Sequence, residues 1–131
     1  MSVARAGQTA TLLPDGTVLV AGGYSGLFPS PTASAEVFHP DTGTWSLVQS
    51  MSTERAEKTA TLLKSGTVLL AGGVDAGYKE LDSAEIYDPA SGTWVPTPTM
   101  NFYHEDHTAT RLQDGSVLIA GPSIDAELYL P

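Results

Sequence analysis

Short apolar stretches separated by turn residues recur along the chain. Residues 9–13 and 17–21 are rich in β-branched and aliphatic side chains, and Pro14-Asp15-Gly16 lies between them. An Asp-Gly pair between two apolar runs is a strong indication of a β-hairpin. Residues 35–38 and 44–48 form two further runs around a second turn. No segment sustains the 3.6-residue apolar period of a helix, so the pattern predicts an all-β chain.

The same four-strand pattern repeats about every fifty residues. Residues 58–73 match residues 8–23 at twelve of sixteen positions, and residues 107–122 form a third copy. Residues 34–45 and 83–94 repeat as well, since both begin Ser-Ala-Glu and end Gly-Thr-Trp. The third copy of this block stops after Ala126-Glu127-Leu128-Tyr129. We therefore divide the chain into units 1–50, 51–99 and 100–131.

Tandem four-stranded units of about fifty residues are typical of β-propeller blades. Val18, Leu19 and Val20 are apolar at successive positions, so both faces of the sheet need cover, which neighbouring blades supply. In an antiparallel meander the tight turns lie at one end of the sheet and the long loops at the other. Binding residues are concentrated on loops held by a rigid scaffold. We therefore expect the functional surface at the loop-rich end.

The units resemble kelch repeats, in particular the kelch-type propellers of bacterial proteins and the central domain of galactose oxidase. The resemblance rests on the paired glycines at 22–23 and 72–73, on Phe38 and Tyr87, and on Trp45 and Trp94. It covers almost the whole of residues 1–131 and implies a partial kelch propeller of about 2.75 blades, two full blades plus three strands of a third. Propellers close with ~4–8 blades. The chain is therefore either a fragment or a subunit that completes its ring by self-association through open blade faces.

Charge and composition argue against several classes of function. Fifteen acidic against six basic residues give a net charge of −9, which argues against nucleic-acid binding. No apolar run reaches the ~20 residues of a membrane helix, so membrane insertion is not expected. With no cysteine, the chain cannot build the tyrosine–cysteine crosslink that the galactose oxidase resemblance would imply. Residues 1–5 show no signal peptide, whereas the resemblance to exported bacterial kelch proteins implies an extracellular or periplasmic location.

Several recurring residues are interpreted as structural. Glu36, Glu85 and Glu127 occupy the same position in the three repeats. A carboxylate within a packed strand needs a hydrogen-bonded or charged partner. We expect that partner to be a loop amide or the arginine, Arg5 or Arg55, that precedes the first strand of its unit. The two tryptophans are expected to fill space between blades. The glycine pairs precede no helix, so they are expected to allow positive φ or close approach of blades rather than to bind phosphate.

A histidine-rich segment precedes the third unit's first strand. His104-Glu105-Asp106-His107 places two imidazoles and two carboxylates within four residues, a composition suited to a divalent metal. Residues three apart in an extended chain point to opposite sides, however, and the spacing is that of the repeat. No metal and no cofactor are therefore expected, with His104, Asp106 and His107 as weak metal candidates.

The candidate binding residues are those that differ between units or lie in long loops. They are Tyr24, Phe28, Arg55, Tyr78, Lys79, Tyr103, His104 and His107. Aromatic side chains on loops are effective anchors for partners. The predicted function is a non-catalytic binding or scaffold module for a protein or carbohydrate ligand. The alternative is a fragment of a carbohydrate-active kelch enzyme, oxidase- or epimerase-like, whose active site is not complete in this chain.

Overall fold

The computed structural model describes residues 1–26, 30–122 and 124–131. Within these ranges the regular structure consists of strands, none of the residues lies in a helix, and no segment is therefore a membrane-spanning helix. The strands are β1 (Arg5–Ala6), β2 (Thr9–Leu12), β3 (Val18–Ala21), β4 (Tyr24–Ser25), β5 (Ser30–Pro31), β6 (Ala35–His39), β7 (Thr44–Leu47), β8 (Thr59–Leu62), β9 (Val68–Ala71), β10 (Ala84–Asp88), β11 (Thr93–Pro96), β12 (Thr108–Arg111), β13 (Val117–Ala120) and β14 (Ala126–Tyr129).

Among the described residues the strands form two blades of four strands and one blade of three. Blade 1 has the order β2-β3-β6-β7, blade 2 the order β8-β9-β10-β11, and blade 3 the order β12-β13-β14. All pairs within the blades are antiparallel. This arrangement confirms the predicted all-β class and the partial kelch-type propeller. A small additional sheet of β1, β4 and β5, which the sequence pattern did not predict, lies at the loop-rich end of blade 1.

Apolar side chains fill the two spaces between neighbouring blades. Leu19 and Val37 of blade 1 share a core with Leu70 and Tyr87 of blade 2. The opposite face of blade 2 packs in the same way against Ile119 and its neighbours on blade 3. Burial of both faces of the central blade explains its continuous apolar strand Val68–Ala71, in which every residue is buried.

The tryptophan of blade 2 has the packing role predicted for it. Trp94 is buried between the blades, its ring centroid lies 5.0 Å from that of Tyr87, and its indole N–H donates to the Gln49 carbonyl at 2.7 Å. Trp45 makes the same 5.0 Å contact with Phe38, but both rings are only half-buried. The difference arises because, within the described residues, no other blade covers that face of blade 1.

The glycine pairs allow the backbone of the next blade to approach closely. Gly22 and Gly72 have φ of 61° and 63°. A Cβ atom would lie 2.5 Å from the Arg55 carbonyl oxygen at Gly22, and 2.3 Å from the His104 carbonyl oxygen at Gly72. The following glycine N–H donates to these same carbonyls, for example Gly73 to His104 at 2.6 Å. The predicted structural role is confirmed.

Substitution of Gly72 by alanine tests this close approach. Gly92 has a similar φ of 68° but open space around its Cβ position, so it serves as the matched control. We expect Gly92→Ala to cost about 1 kcal/mol from backbone strain alone. Gly72→Ala should cost about 3 kcal/mol or more, because the methyl group also displaces the backbone of the next blade. Equal losses of unfolding free energy in urea titrations would contradict the proposed role of the close approach.

Candidate functional site

Exposed aromatic side chains gather at the loop-rich end of blades 2 and 3, which we call the loop-end surface. Tyr78 and Tyr103 are 64% and 54% exposed. With Lys79 and Glu80 they line a groove of about 400 Å³. A second groove of about 400 Å³ shares Glu80 and Tyr103 and extends along Phe102. The structure therefore brings three of the predicted binding residues together, whereas Phe28 lies outside the described residues.

A local turn presents Tyr78 to solvent. The Asp75 carboxylate accepts hydrogen bonds from the backbone N–H groups of Gly77 at 2.8 Å and Lys79 at 3.0 Å. Tyr78 itself has φ of 58°, a conformation that non-glycine residues adopt rarely. Side-chain bonds of this Asx type stabilise such turns, so the orientation of Tyr78 follows from Asp75.

Tyr24 joins the first loop to the second. Its ring stacks on that of Tyr78 with centroids 6.4 Å apart, and its hydroxyl donates to the carboxylate of Glu57. The hydrogen bond to Glu57 raises the pKa of Tyr24 to about 12, because ionisation would place a phenolate beside a carboxylate. Tyr24 is thus a support for the loop-end surface. Sequence reasoning missed Glu57, since nothing in the linear pattern pairs residues 24 and 57.

Several carboxylates line the two grooves: Glu80 lines both, and Glu105 and Asp125 line the second. Burial raises the pKa of Glu105, and the nearby charges of Glu80, Glu57 and Asp106 raise it further. Mutual repulsion of this kind indicates a locally negative surface. Part of the chain's acidic charge therefore lies beside the exposed tyrosines.

Arg55 lies inside the blade rather than on a binding surface. Its side chain is fully buried, and its guanidinium donates to Glu85 and to the carbonyls of Gly72 and Ser83, each at 3.0 Å. Glu85 also accepts the Ser52 backbone N–H at 2.9 Å. Arg5 and Glu36 form the same 3.0 Å ion pair in the first unit. The predicted bonds from these glutamates to arginine and to loop amides are confirmed, and a role for Arg55 in partner binding does not fit this burial.

His104 takes the place of the arginine in the third unit. Its Nε2 lies 2.9 Å from the Glu127 carboxylate and its Nδ1 lies 3.1 Å from the Gly121 carbonyl oxygen. Both neighbours are acceptors, so both contacts are hydrogen bonds only when each ring nitrogen carries a proton. The side chain is fully buried, and neither nitrogen is available to a partner or a metal.

His107 is buried against blade 2. Its Nε2 lies 2.9 Å from the Thr59 hydroxyl. Burial, with a further contribution from nearby His104, lowers the pKa of His107 to about 4, so the ring is neutral at physiological pH. Asp106 points to solvent. In the described ranges no group of three or more His, Cys, Asp or Glu side chains is arranged to hold a metal ion. The weak metal candidates are thus not brought together as a ligand set.

Lys58 is a buried lysine that sequence reasoning did not single out. Its ammonium group donates to the Gly7 carbonyl at 3.3 Å, and burial lowers its pKa to about 7, aided by Arg5 and Arg55. It occupies the template position of His107, and both side chains lie against the first glycine of a preceding pair. The repeat alignment gave no signal of burial, because the first unit has an ordinary polar Gln8 there.

Neutralising Glu85 tests the buried ion pair. We expect Glu85→Gln to lower the free energy of unfolding by about 3 kcal/mol, because a buried guanidinium loses its counter-charge. Glu54→Gln removes the same charge from an exposed side chain and should change it by less than about 0.5 kcal/mol. Urea denaturation of both variants makes the comparison. Equal effects would show that the pair contributes little.

The pH dependence of stability tests Glu36. Burial opposes its ionisation, but hydrogen bonds from Ser2, Arg5 and Val3 together outweigh this and lower the pKa from 4.5 to about 2. The unfolded chain therefore binds a proton more readily than the folded one, and stability falls as pH drops from about 5 towards 2. We expect Glu36→Gln to flatten this part of the curve. Urea denaturation at pH 6, 4 and 3 measures it, and an unchanged slope would contradict the assignment.

Comparison with known proteins identifies the family. The kelch motif model matches residues 5–52 and 64–101. A solved fungal alcohol oxidase of the AA5 family, in complex with copper, is similar in fold with a TM-score of 0.79 at 17% identity. The match covers 89% of this chain but only 27% of that oxidase. No curated protein matches. The motif match extends over more than half of the sequence, and the chain belongs to the kelch-repeat family.

Proposed function

We propose that the chain is a kelch-repeat binding module whose loop-end surface contacts a partner protein. The observation that carries the proposal is the exposure of Tyr78 and Tyr103 around one groove, while the polar residues repeated in each blade are buried and bonded internally. Tyrosines offer a large contact area with few side-chain torsions to restrict, which makes them effective anchors.

The charges around the groove indicate the chemistry of the partner. Glu80 lies in both grooves and Glu105 lies in the second, beside the exposed rings of Tyr103 and Phe102. Carboxylates next to aromatic faces favour a Lys or Arg side chain, which gains both charge pairing and a cation–π contact. A partner segment that carries basic residues is therefore favoured over a neutral glycan.

A second candidate is a part of a carbohydrate-active kelch enzyme. Its support is the similarity in fold to a copper-containing alcohol oxidase. Fold alone does not determine chemistry, since one propeller scaffold serves both binding and catalytic proteins. In this alternative the loop-end tyrosines would contact a sugar ring by stacking, and binding would depend little on salt.

Peptide and glycan arrays distinguish these candidates. Labelled chain is applied to an array of random twelve-residue peptides and, in parallel, to a glycan array, each at low and high salt. We expect retention on peptides that contain Lys or Arg, with binding reduced at least tenfold by the Tyr78→Ser/Tyr103→Ser double variant. We also expect it to weaken as salt is raised, because exposed charges are screened.

Leu12→Ser provides the matched control for this experiment. Leu12 is 64% exposed at the turn end of blade 1, opposite the loop-end surface, so its loss removes apolar surface without touching the groove. Salt-independent binding to glycans alone would favour the carbohydrate candidate. Binding that survives the double tyrosine change would overturn the assignment of the loop-end surface.

A further inference from the structure

A groove opens between blades 1 and 2 at the turn end of the molecule, opposite the loop-end surface. Its volume of about 340 Å³ is within the range of small-molecule binding sites. Leu13 and Val37 of blade 1 contribute apolar lining, and residues 89–92 of blade 2 line it as well. We propose that this groove binds a small primary amine, whose ammonium group contacts Asp15 and Tyr87 while its aliphatic chain lies along the apolar lining.

The hydroxyl of Tyr87 is the polar group of the groove that lacks a partner. Tyr87 is only 2% exposed, yet it lines the groove. None of the described residues forms a hydrogen bond with its hydroxyl, although buried polar groups are normally bonded. By contrast, the hydroxyls of Thr17 and Ser91 are bonded to neighbouring carboxylates, and the Ser46 hydroxyl lies 3.0 Å from Nε2 of His39. A ligand in the groove would therefore supply the bond that Tyr87 is missing.

Asp15 supplies the negative charge of the site. Its oxygen Oδ1 accepts two hydrogen bonds from Thr17, one from the hydroxyl at 2.7 Å and one from the backbone N–H at 2.9 Å. These two bonds lower the pKa of Asp15, so the carboxyl group is ionised at neutral pH. Its second oxygen, Oδ2, forms no hydrogen bond with another residue of the described ranges. One oxygen thus holds the carboxylate in place, and the other is free to accept from a ligand.

The carboxylate and the hydroxyl lie near enough to contact one ligand group. Both residues line the same groove, and the charge of Asp15 acts on Tyr87. Burial raises the pKa of Tyr87, and the nearby carboxylates of Asp15 and Asp88 raise it further, so the hydroxyl stays protonated. A neutral hydroxyl still has lone pairs that accept hydrogen bonds. An ammonium group carries three donors and can therefore donate to Oδ2 of Asp15 and to the Tyr87 oxygen together.

The charge and lining of the groove favour an aliphatic cation over an anion. No lysine or arginine is among the described residues that line it, and a neighbouring groove shares Asp15 and adds Asp88. An anion would face these carboxylates without a counter-charge, whereas a cation is attracted by them. Leu13, Val37 and Val48 offer apolar surface, which methylene groups cover favourably. A short alkyl chain that ends in an ammonium group therefore matches both parts of the site.

Titration of the intact chain with n-pentylammonium tests the proposal, and n-pentanol serves as the uncharged control of equal chain length. We expect the amine to shift the backbone amide NMR signals of Ala90 and Gly92, which line the groove, and to reach saturation. Pentanol should bind at least tenfold more weakly, because it lacks the charge that pairs with Asp15. Equal binding of the two compounds, or shifts that rise without saturation, would overturn the proposal.

Two matched aspartate variants locate the ammonium group. Asp15→Asn keeps an acceptor for Thr17 but removes the charge, so we expect it to weaken amine binding at least tenfold. Asp114 is the counterpart of Asp15 in the third unit, accepts the same two bonds from Ser116 at 2.7 and 2.9 Å, and does not line the groove. Asp114→Asn should therefore leave binding unchanged. Equal effects of the two variants would contradict a site centred on Asp15.

The variant Tyr87→Phe tests the second contact, because it removes the hydroxyl alone. Phe38 stands at the same repeat position in blade 1 and makes the same 5.0 Å ring contact with a tryptophan, so phenylalanine suits this packing. We expect roughly threefold weaker amine binding from the lost hydrogen bond, with an unchanged thermal unfolding midpoint. Amine binding equal to that of the unaltered chain would show that the hydroxyl takes no part and would overturn the proposed contact.

Discussion

The arrangement of blades 1 and 2 depends on contacts of Arg55, the buried arginine that precedes the first strand of blade 2. The Arg55 side chain binds Glu85 and two carbonyls within its own blade, and its backbone carbonyl accepts the Gly23 N–H of the preceding blade. One residue therefore connects the sheet of blade 2 to the end of a strand in blade 1. The guanidinium suits this role because it is planar, always charged and able to donate to several acceptors at once.

The third unit preserves the contact with different chemistry. His104 faces a carboxylate and a carbonyl as the arginines do, and its own carbonyl still accepts a glycine N–H from blade 2. The backbone contact needs only the glycine pair, whereas the side-chain contacts need a donor of suitable reach. Unlike a guanidinium, an imidazole satisfies both acceptors only in its charged form. Blade 3 thus keeps the same contacts with a different side chain.

The interior contacts separate the structural residues from those that remain for function. Where the repeat is regular, its polar side chains form hydrogen bonds and ion pairs within and between blades. Where it is irregular, Tyr78 and Tyr103 of the loop-end surface are exposed to solvent. This surface is supported by Tyr24, whose ring stacks on Tyr78 and whose hydroxyl donates to Glu57.

The sequence by itself determined the strand order within the blades, the hairpins, the repeat and the partners of Glu36 and Glu85. These features follow directly from the apolar runs with their turn residues and from the repeated sequence blocks. Only the tertiary structure decided which candidate residues reach solvent. Arg55 and His104 are candidate binding residues by sequence but are buried, Lys58 is buried as well, and the Tyr24 hydroxyl of the first unit donates to Glu57 of the second. These outcomes depend on how closely neighbouring blades approach, a distance that no pattern within one unit encodes.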